Sequence, residues 1–562
     1  MKTADDPNAS EPDMRATIHA VAVFVLAALA QLPSFDRSIV PMDEGHLAAV
    51  AMGLGDGLAL YRDLHTGIFP GIYLLSALLF DVFGNDLVVA RWAQVFTNAS
   101  VCVCLWLAGL RVMPRVWAAV APVLYVAVVV MSFPVLSMFN YSSLALALCV
   151  LSLFLTMRLL ERGDRATAIA LGATLALAVF SKQNFGALAF AAAAIGIFAN
   201  RRDSALAERP WLSFLLPIAG AGIAVTAGFV VYFLATGTFG DFLHSTVIQL
   251  GGDQLESFNN PIPPIFGPHP LDDGKFVFLY SPPYLFNAML RGESVFGLAA
   301  TPGLASAAAR LAYGLALLTL IVAPAIWLFG VGRAQGETQR NTRLVVASAL
   351  LFFLGIFPSA IFSHLVFVLA PVLLALALCL ARLDAALRER VAAASMALRG
   401  VTLLAGVMAV AFIAVGSTTI AGWFPVPLGI ERASLKVSEG QAEIYRGAMA
   451  FVEGCADPGE AIFVAPTMPV VYFLTNRPNV SRYDLTIPGN VDGGAIVSAI
   501  ESRGTRCIVY NPAMYPEFPP FAAMFPKLDR HLKTRFEPRR RIRGGGEVWL
   551  GLVPSATERR TR

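Results

Sequence analysis

The sequence predicts a polytopic α-helical membrane protein, with about eleven spans, that carries a soluble α/β domain at its C-terminal end. Three observations carry that prediction. The first is composition: 57% of the 562 residues are apolar, 14% are charged, and the mean hydropathy is +0.65. Soluble chains hold roughly 25% charged residues, so this excess of hydrocarbon calls for lipid as solvent. The second is the gathering of that apolarity into long runs joined by short connections. The third is a change of texture after Gly422, where long apolar runs give way to short strand and helix patterns. The formal net charge of +4 is small, and no basic tract suggests nucleic acid as a partner.

Residues 1–15 are polar and more acidic than basic. A secretory signal opens on a basic stretch, so the first run, Ile18–Leu32, reads as an uncleaved span despite the cleavage-like Ala28-Leu29-Ala30. The following apolar segments are Gly67–Phe80, Leu87–Leu110, Val116–Phe133, Ser142–Met157, Thr167–Phe180, Phe185–Phe198 and Trp211–Leu234. Ala305–Phe329, Leu344–Phe362, Leu365–Leu380 and Val401–Ala421 complete the series. Lys and Arg sit in alternate connections, at Arg111/Arg115, Arg158/Arg162/Arg165, Arg201/Arg202/Arg209, Arg333/Arg340/Arg343 and Arg382/Arg388/Arg390/Arg399. That alternation marks these five connections as cytoplasmic.

Were every segment a span, the loop holding Asp43 would share the basic side. Gly67–Phe80 resolves the conflict. It is 14 residues long and opens Gly-Ile-Phe-Pro-Gly, and a run of about 10–14 suits a helix embedded in one leaflet. The expected topology is a cytoplasmic N-terminus (1–15), a transmembrane domain (16–421) and an extracytoplasmic domain (422–562). A first outer loop spans 34–86 and a long outer loop spans 236–301. In the tail, Ser438-Glu439-Gly440-Gln441 is a capping box that opens a helix to about Glu453. Ala461–Ala465 and Cys507–Tyr510 read as buried strands, Gly494–Ser502 as a helix between them, and Arg535–Arg541 with Glu547–Leu552 as a closing pair. Cys455 and Cys507 share the oxidising side and are candidates for a disulfide. Cys102 and Cys104 read as packing within a span.

This topology collects polar residues at the outer face. Asp43-Glu44 either serve the N-terminus of the helical stretch Leu47–Leu54 or supply a general base or metal ligand. Arg62, Asp63 and His65 are either interfacial anchors or part of a phosphate site. Arg91 lies early in a span, where an arginine is functional by default or snorkels to the headgroups. Lys182-Gln183 occupy a short outer turn, as does Ser363-His364; each is either a solvated turn or a group aimed at an anionic lipid.

Met42-Asp43-Glu44-Gly45, then Tyr61-Arg62-Asp63-Leu64-His65-Thr66-Gly67-Ile68-Phe69-Pro70-Gly71, then Phe83-Gly84 and Arg91, resemble the first-loop signature of GT-C glycosyltransferases. The likeness is to the bacterial branch related to protein O-mannosyltransferases and lipid A aminoarabinose transferases. Gly172 with Phe180-Ser181-Lys182, and His364 with Pro371, are similar to later motifs of that family. The resemblance implies a membrane enzyme of the cell envelope. It would move a sugar from a polyprenyl-phosphate donor to a lipid, glycan or protein acceptor on the outer face of the plasma (inner) membrane. By matching motif, Asp43 would be the catalytic carboxylate and Glu44 its neighbour. His65, Arg91, Lys182 and His364 would bind the donor phosphate, with Arg62, Asp63, Asn140 and Gln183 in support. Relatives carry a second acid where this chain has Asn140, which counts against a divalent metal, and none is assigned. Two other classes compete. A transporter or flippase would place polar residues at span centres and repeat its halves, and neither pattern occurs. A non-catalytic scaffold would leave the acid and cation cluster without a role.

Overall fold

Helices dominate the chain up to Trp423, as the apolar runs require. The computed structural model describes residues 11–249, 258–267, 274–330, 336–487, 491–513, 515 and 518–556. The first half contains α1 (Glu11–Leu29), α2 (Asp43–Gly55), α3 (Gly71–Phe83), α4 (Leu87–Gly109), α5 (Arg115–Ala118), α6 (Val120–Met131), α7 (Tyr141–Arg162), α8 (Arg165–Ser181), α9 (Gln183–Asn200) and α10 (Trp211–Thr236). The long outer loop, expected to be Pro/Gly-rich connection, folds into α11 (Phe239–Leu243), α12 (Gly274–Tyr280), α13 (Pro283–Leu290) and the hairpin β1–β2 (Ser294–Val295, Leu298–Ala299). The bundle then closes with α14 (Pro302–Leu328), α15 (Gly336–Phe353), α16 (Phe362–Arg390) and α17 (Ala392–Trp423).

Among the described residues, seven helices are long and apolar enough to cross a membrane, and four more are apolar but shorter, α3 among them. The chain is a multi-pass α-helical membrane protein. Burial ranks the spans. Of its most apolar window, α16 buries 83%, while α10 buries 6% and α17 buries 11%. A helix apolar all round must face either core or lipid, so α16 is the central post and α10 and α17 lie at the periphery. The segment Leu344–Phe362 divides earlier than expected. α15 ends at Phe353 and a short 3-10 turn runs to Ile356. Pro358 disfavours helix at the residue before it, and α16 starts afresh at Phe362.

The basic connections meet at one end of the bundle and are tied there. Arg111 bonds Glu161, Arg209 donates to the Gly163 carbonyl, and Arg340 donates to the Asp203 carbonyl. Asp384 accepts from Arg388, Arg399 and Ser395.

The tail opens on β3–β4 (Val426–Pro427, Lys436–Val437) and α18 (Glu439–Glu453). The capping box is formed, with Ser438 Oγ accepting from Gln441 N at 3.3 Å and Gln441 Oε1 from Ser438 N at 3.4 Å. β5 (Phe463–Ala465), α19 (Val470–Thr475), α20 (Gly493–Ser502), β6 (Ile508–Tyr510), α21 (Phe521–Met524), α22 (Pro526–Arg535), β7 (Phe536–Gly544) and β8 (Glu547–Pro554) follow. The sheet order is β5-β6-β8-β7, parallel only between β5 and β6. A Cys455–Cys507 disulfide joins the end of α18 to the start of β6.

The tail sits directly on the first loop. Ser38 N donates to the Lys436 carbonyl and Lys436 N to the Asp36 carbonyl, each at 2.8 Å. α2 packs against α19 so closely that a Cβ on Gly45 would lie 2.3 Å from Val470 N. Only glycine allows that approach, and it brings the tail to within reach of the start of α2.

Candidate active site

α2 begins where the chain leaves the first span, and its first turn presents two acids. Met42 takes the N-cap position, and no side chain caps the helix. Capping therefore does not explain Asp43. Successive helical residues point about 100° apart, so Asp43 and Glu44 face different surroundings.

Asp43 faces a cavity of about 450 Å³. The start of α7 contributes Asn140, Tyr141 and Ser142, and the start of α16 contributes Ser363 and His364. Phe278 and Asn287 come from the long outer loop, and Tyr515 and Phe518 from the tail. The N-termini of α2, α7 and α16 thus converge on one space, and their dipoles favour a bound anion there. Lys182, in the turn between α8 and α9, donates to Ser142 Oγ at 2.9 Å and lies 4.3 Å from the centre of the Phe185 ring. Burial pushes its ammonium down to about 8. Burial also raises the Asp43 carboxyl, against a smaller opposing pull from His46. A raised acid and a lowered amine move toward neutral pH, where each exchanges protons readily.

Other expected site residues lie elsewhere. Arg91 and Glu44 form a separate, dry pair. Arg91 Nε and Nη2 donate to Glu44 Oε1 and Oε2 at 2.5 and 2.7 Å, and the two side chains are 0% and 2% exposed. Arg91 Nη2 also donates to the Ser38 carbonyl at 3.0 Å, and Glu44 Oε2 accepts from Val40 N. The guanidinium is used up in holding the first loop to α4, because a buried arginine must find acceptors for its donors. It does not reach the cavity. Arg62 pairs with Asp63 at 3.1 Å on the rim of a second cleft, and His65 packs against the Tyr483 ring in a tilted contact. Burial, with Arg482 adding to it, lowers His65 to about 3, so it is neutral and offers no cation. Gln183 donates to the Gly67 carbonyl. Of the expected residues, Asp43, Asn140 and His364 line one cavity and Lys182 reaches it through Ser142.

The donor set does not suit a divalent metal. Asn140 Oδ1 already accepts from Ser142 N and Ser143 N as the cap of α7. His364 Nδ1 lies 2.6 Å from the Ser359 carbonyl. Among the described residues, no three His, Cys, Asp or Glu side chains gather.

Sequence reasoning assigned no part to Phe278, Ser359, Tyr515, Phe518 or Asp484. These come from far along the chain and carry no local motif.

Residues 66–235 match the family model described as dolichyl-phosphate-mannose-protein mannosyltransferase. The match includes Lys182 and begins beyond Asp43. That match covers less than a third of the chain. Several solved membrane-enzyme structures are similar to the chain over most of its length. ArnT from Cupriavidus metallidurans bound to undecaprenyl phosphate is 14% identical, with 95% of this chain and 97% of that one covered and a TM-score of 0.44. The archaeal oligosaccharyltransferase AglB from Archaeoglobus fulgidus, in complex with an inhibitory peptide and a dolichol-phosphate, is 12% identical over 96% and 74%, with a TM-score of 0.47. The arabinofuranosyltransferase AftD from Mycobacteria is 14% identical over 95% and 41%, with a TM-score of 0.43. No curated protein matches the chain by sequence.

Proposed function

We propose that this enzyme transfers a sugar from a polyprenyl-phosphate donor to an acceptor hydroxyl or amine, with Asp43 as the catalytic base. The observation that carries the reading is one cavity presenting the Asp43 carboxylate, His364 and three helix N-termini, with the Lys182 ammonium behind Ser142. The chemistry needs those parts. The acceptor gives its proton to Asp43 as its oxygen or nitrogen forms a bond to the anomeric carbon. The bond from that carbon to the phosphate oxygen breaks, and the electron pair leaves with the lipid phosphate, which gains one negative charge. The Lys182 ammonium behind Ser142 and the helix dipoles supply positive potential for that growing charge, the condition for transition-state stabilisation. A single displacement of this kind inverts the anomeric centre. Phe278, Tyr515 and Phe518 supply flat apolar walls for the sugar or the isoprenoid.

The orientation belongs to the same reading. The arginine-rich end is cytoplasmic, and the cavity and the tail (422–562) lie on the outer face of the plasma (inner) membrane. A reporter fused after Arg115 should read cytoplasmic and one after Gly422 external. A cytoplasmic tail would make Gly67–Phe80 a span. The catalytic test is Asp43→Asn in proteoliposomes, offered a panel of radiolabelled polyprenyl-phosphate sugars against a membrane acceptor extract. Loss of transfer with intact folding is expected, and wild-type turnover would remove Asp43 from the mechanism.

A further inference from the structure

His46 stands one turn after Asp43 on α2, and residues three apart share a helix face. Its Nδ1 lies 2.7 Å from Asp484 Oδ2 and its Nε2 lies 3.0 Å from the Tyr73 hydroxyl. Tyr73 in turn lies 2.7 Å from Thr66 Oγ1, which accepts from Ile68 N. Asp484 is 7% exposed and belongs to the tail, 438 residues from His46 in sequence. Both ring nitrogens therefore meet an oxygen that can accept, and an imidazolium here is fully satisfied. The nearby ionisable groups are Asp43 on the same helix, Asp484 from the tail, Tyr73 on α3 and His65 from the loop between α2 and α3. His65 is neutral and does not repel a cation.

We propose that the tail completes the catalytic site: Asp484 holds His46 as an imidazolium, and His46 is the positioning residue that keeps the Asp43 carboxylate ionised. The inference rests on Asp43 being the base. It explains the close seat of α19 on α2 through Gly45, which brings the tail against the helix that carries both residues. Burial alone pushes His46 down, yet Asp484 and then Asp43 outweigh it, and the net direction is upward. A cation one turn from Asp43 opposes the desolvation that otherwise protonates a buried acid.

The test uses full-length protein in lipid nanodiscs, with the titrating Asp43 carboxyl followed by infrared spectroscopy and assigned by its loss in Asp43→Asn. His46→Gln should raise the Asp43 midpoint by about one pH unit or more and lower kcat, leaving KM for the polyprenyl-phosphate donor unchanged. Asp484→Asn should lower kcat, and Asp484→Glu should restore it. An unmoved or lowered Asp43 midpoint in His46→Gln overturns the inference. So does a rise in KM that accounts for the whole loss in Asp484→Asn, or failure of Asp484→Glu to rescue. Full turnover by Asp43→Asn overturns the reading of Asp43 instead, so the two failures are separable. Thermal unfolding of each variant identifies any that is merely misfolded, and the Asp484→Glu rescue then decides.

Discussion

Asp43 and Glu44 are chain neighbours of similar chemistry, yet they belong to two regions built on opposite terms. Glu44 sits in a dry clamp with Arg91, both buried, with each charge met by the other and by backbone groups. Asp43 lines a cavity and has His46 beside it as its opposing charge. A buried pair with every partner satisfied has nothing left to offer a substrate. An acid at a cavity wall, with an ammonium one hydroxyl away from the same space, has unspent capacity. The contrast separates structural from chemical charge in a membrane protein, where an ionisable residue near a span is taken as functional by default.

The comparison breaks first on Asp43. Asp43→Asn should reduce kcat by about 10²–10⁴-fold, the range for a general base, while the unfolding temperature stays at or above the wild-type value. A loss of stability in place of activity would merge the two regions. The clamp should show the reverse. Arg91→Ala leaves Glu44 buried and unpaired and should cost about 3–5 kcal/mol of stability, read as loss of detergent-solubilised folded protein. The double change Glu44→Met with Arg91→Met should recover part of that loss, because it strands no charge. The Ser38 carbonyl would still lack its donor, so recovery is incomplete. Lys182→Met should lower kcat/KM by about 10²–10³-fold, as removal of one transition-state donor does, with little effect on folding.

The smallest effect is in the pH profile. Lys182 is charged below about 8 and loses its proton as pH rises through that value, so kcat/KM should fall on the alkaline side. Lys182→Arg keeps its charge and should move that limb upward out of range. Asp43 is raised by burial, so the acid limb should lie above the ordinary carboxylate range, with activity lost as pH falls through it. A limb at the usual carboxylate value would place Asp43 in solvent.

Much of the architecture was legible. The arginine alternation requires only that a span reverse the side of each loop, and Arg111, Arg340 and Arg399 are among those tied at one end of the bundle. The capping box at Ser438 and the closing hairpin of the tail are local patterns and appear where expected. The long outer loop was not legible as helix. α12 and α13 are 7 and 8 residues long, too short for periodicity to declare, and are held by packing. Arg91 and His65 do not act as phosphate-site cations, for a related reason. Arg91, His65 and Lys182 share a sequence appearance of isolated cations near an interface, and only their neighbours tell a clamp, a neutral ring tilted against Tyr483 and an ammonium behind the cavity wall apart.

Sequence by itself determined that the chain is built of membrane-length apolar helices, that its basic residues occupy alternate connections, and that acids open the helix after the first span. Hydropathy, charge placement and helix-start chemistry are carried by residues close in the chain. Tertiary structure alone decided which acid faces the cavity, which arginine is spent on structure, and that Asp484 from the tail meets His46. Those outcomes depend on contacts across hundreds of residues, where one turn of a helix or one glycine at a crossing changes the partner and the chain itself carries no local record of it.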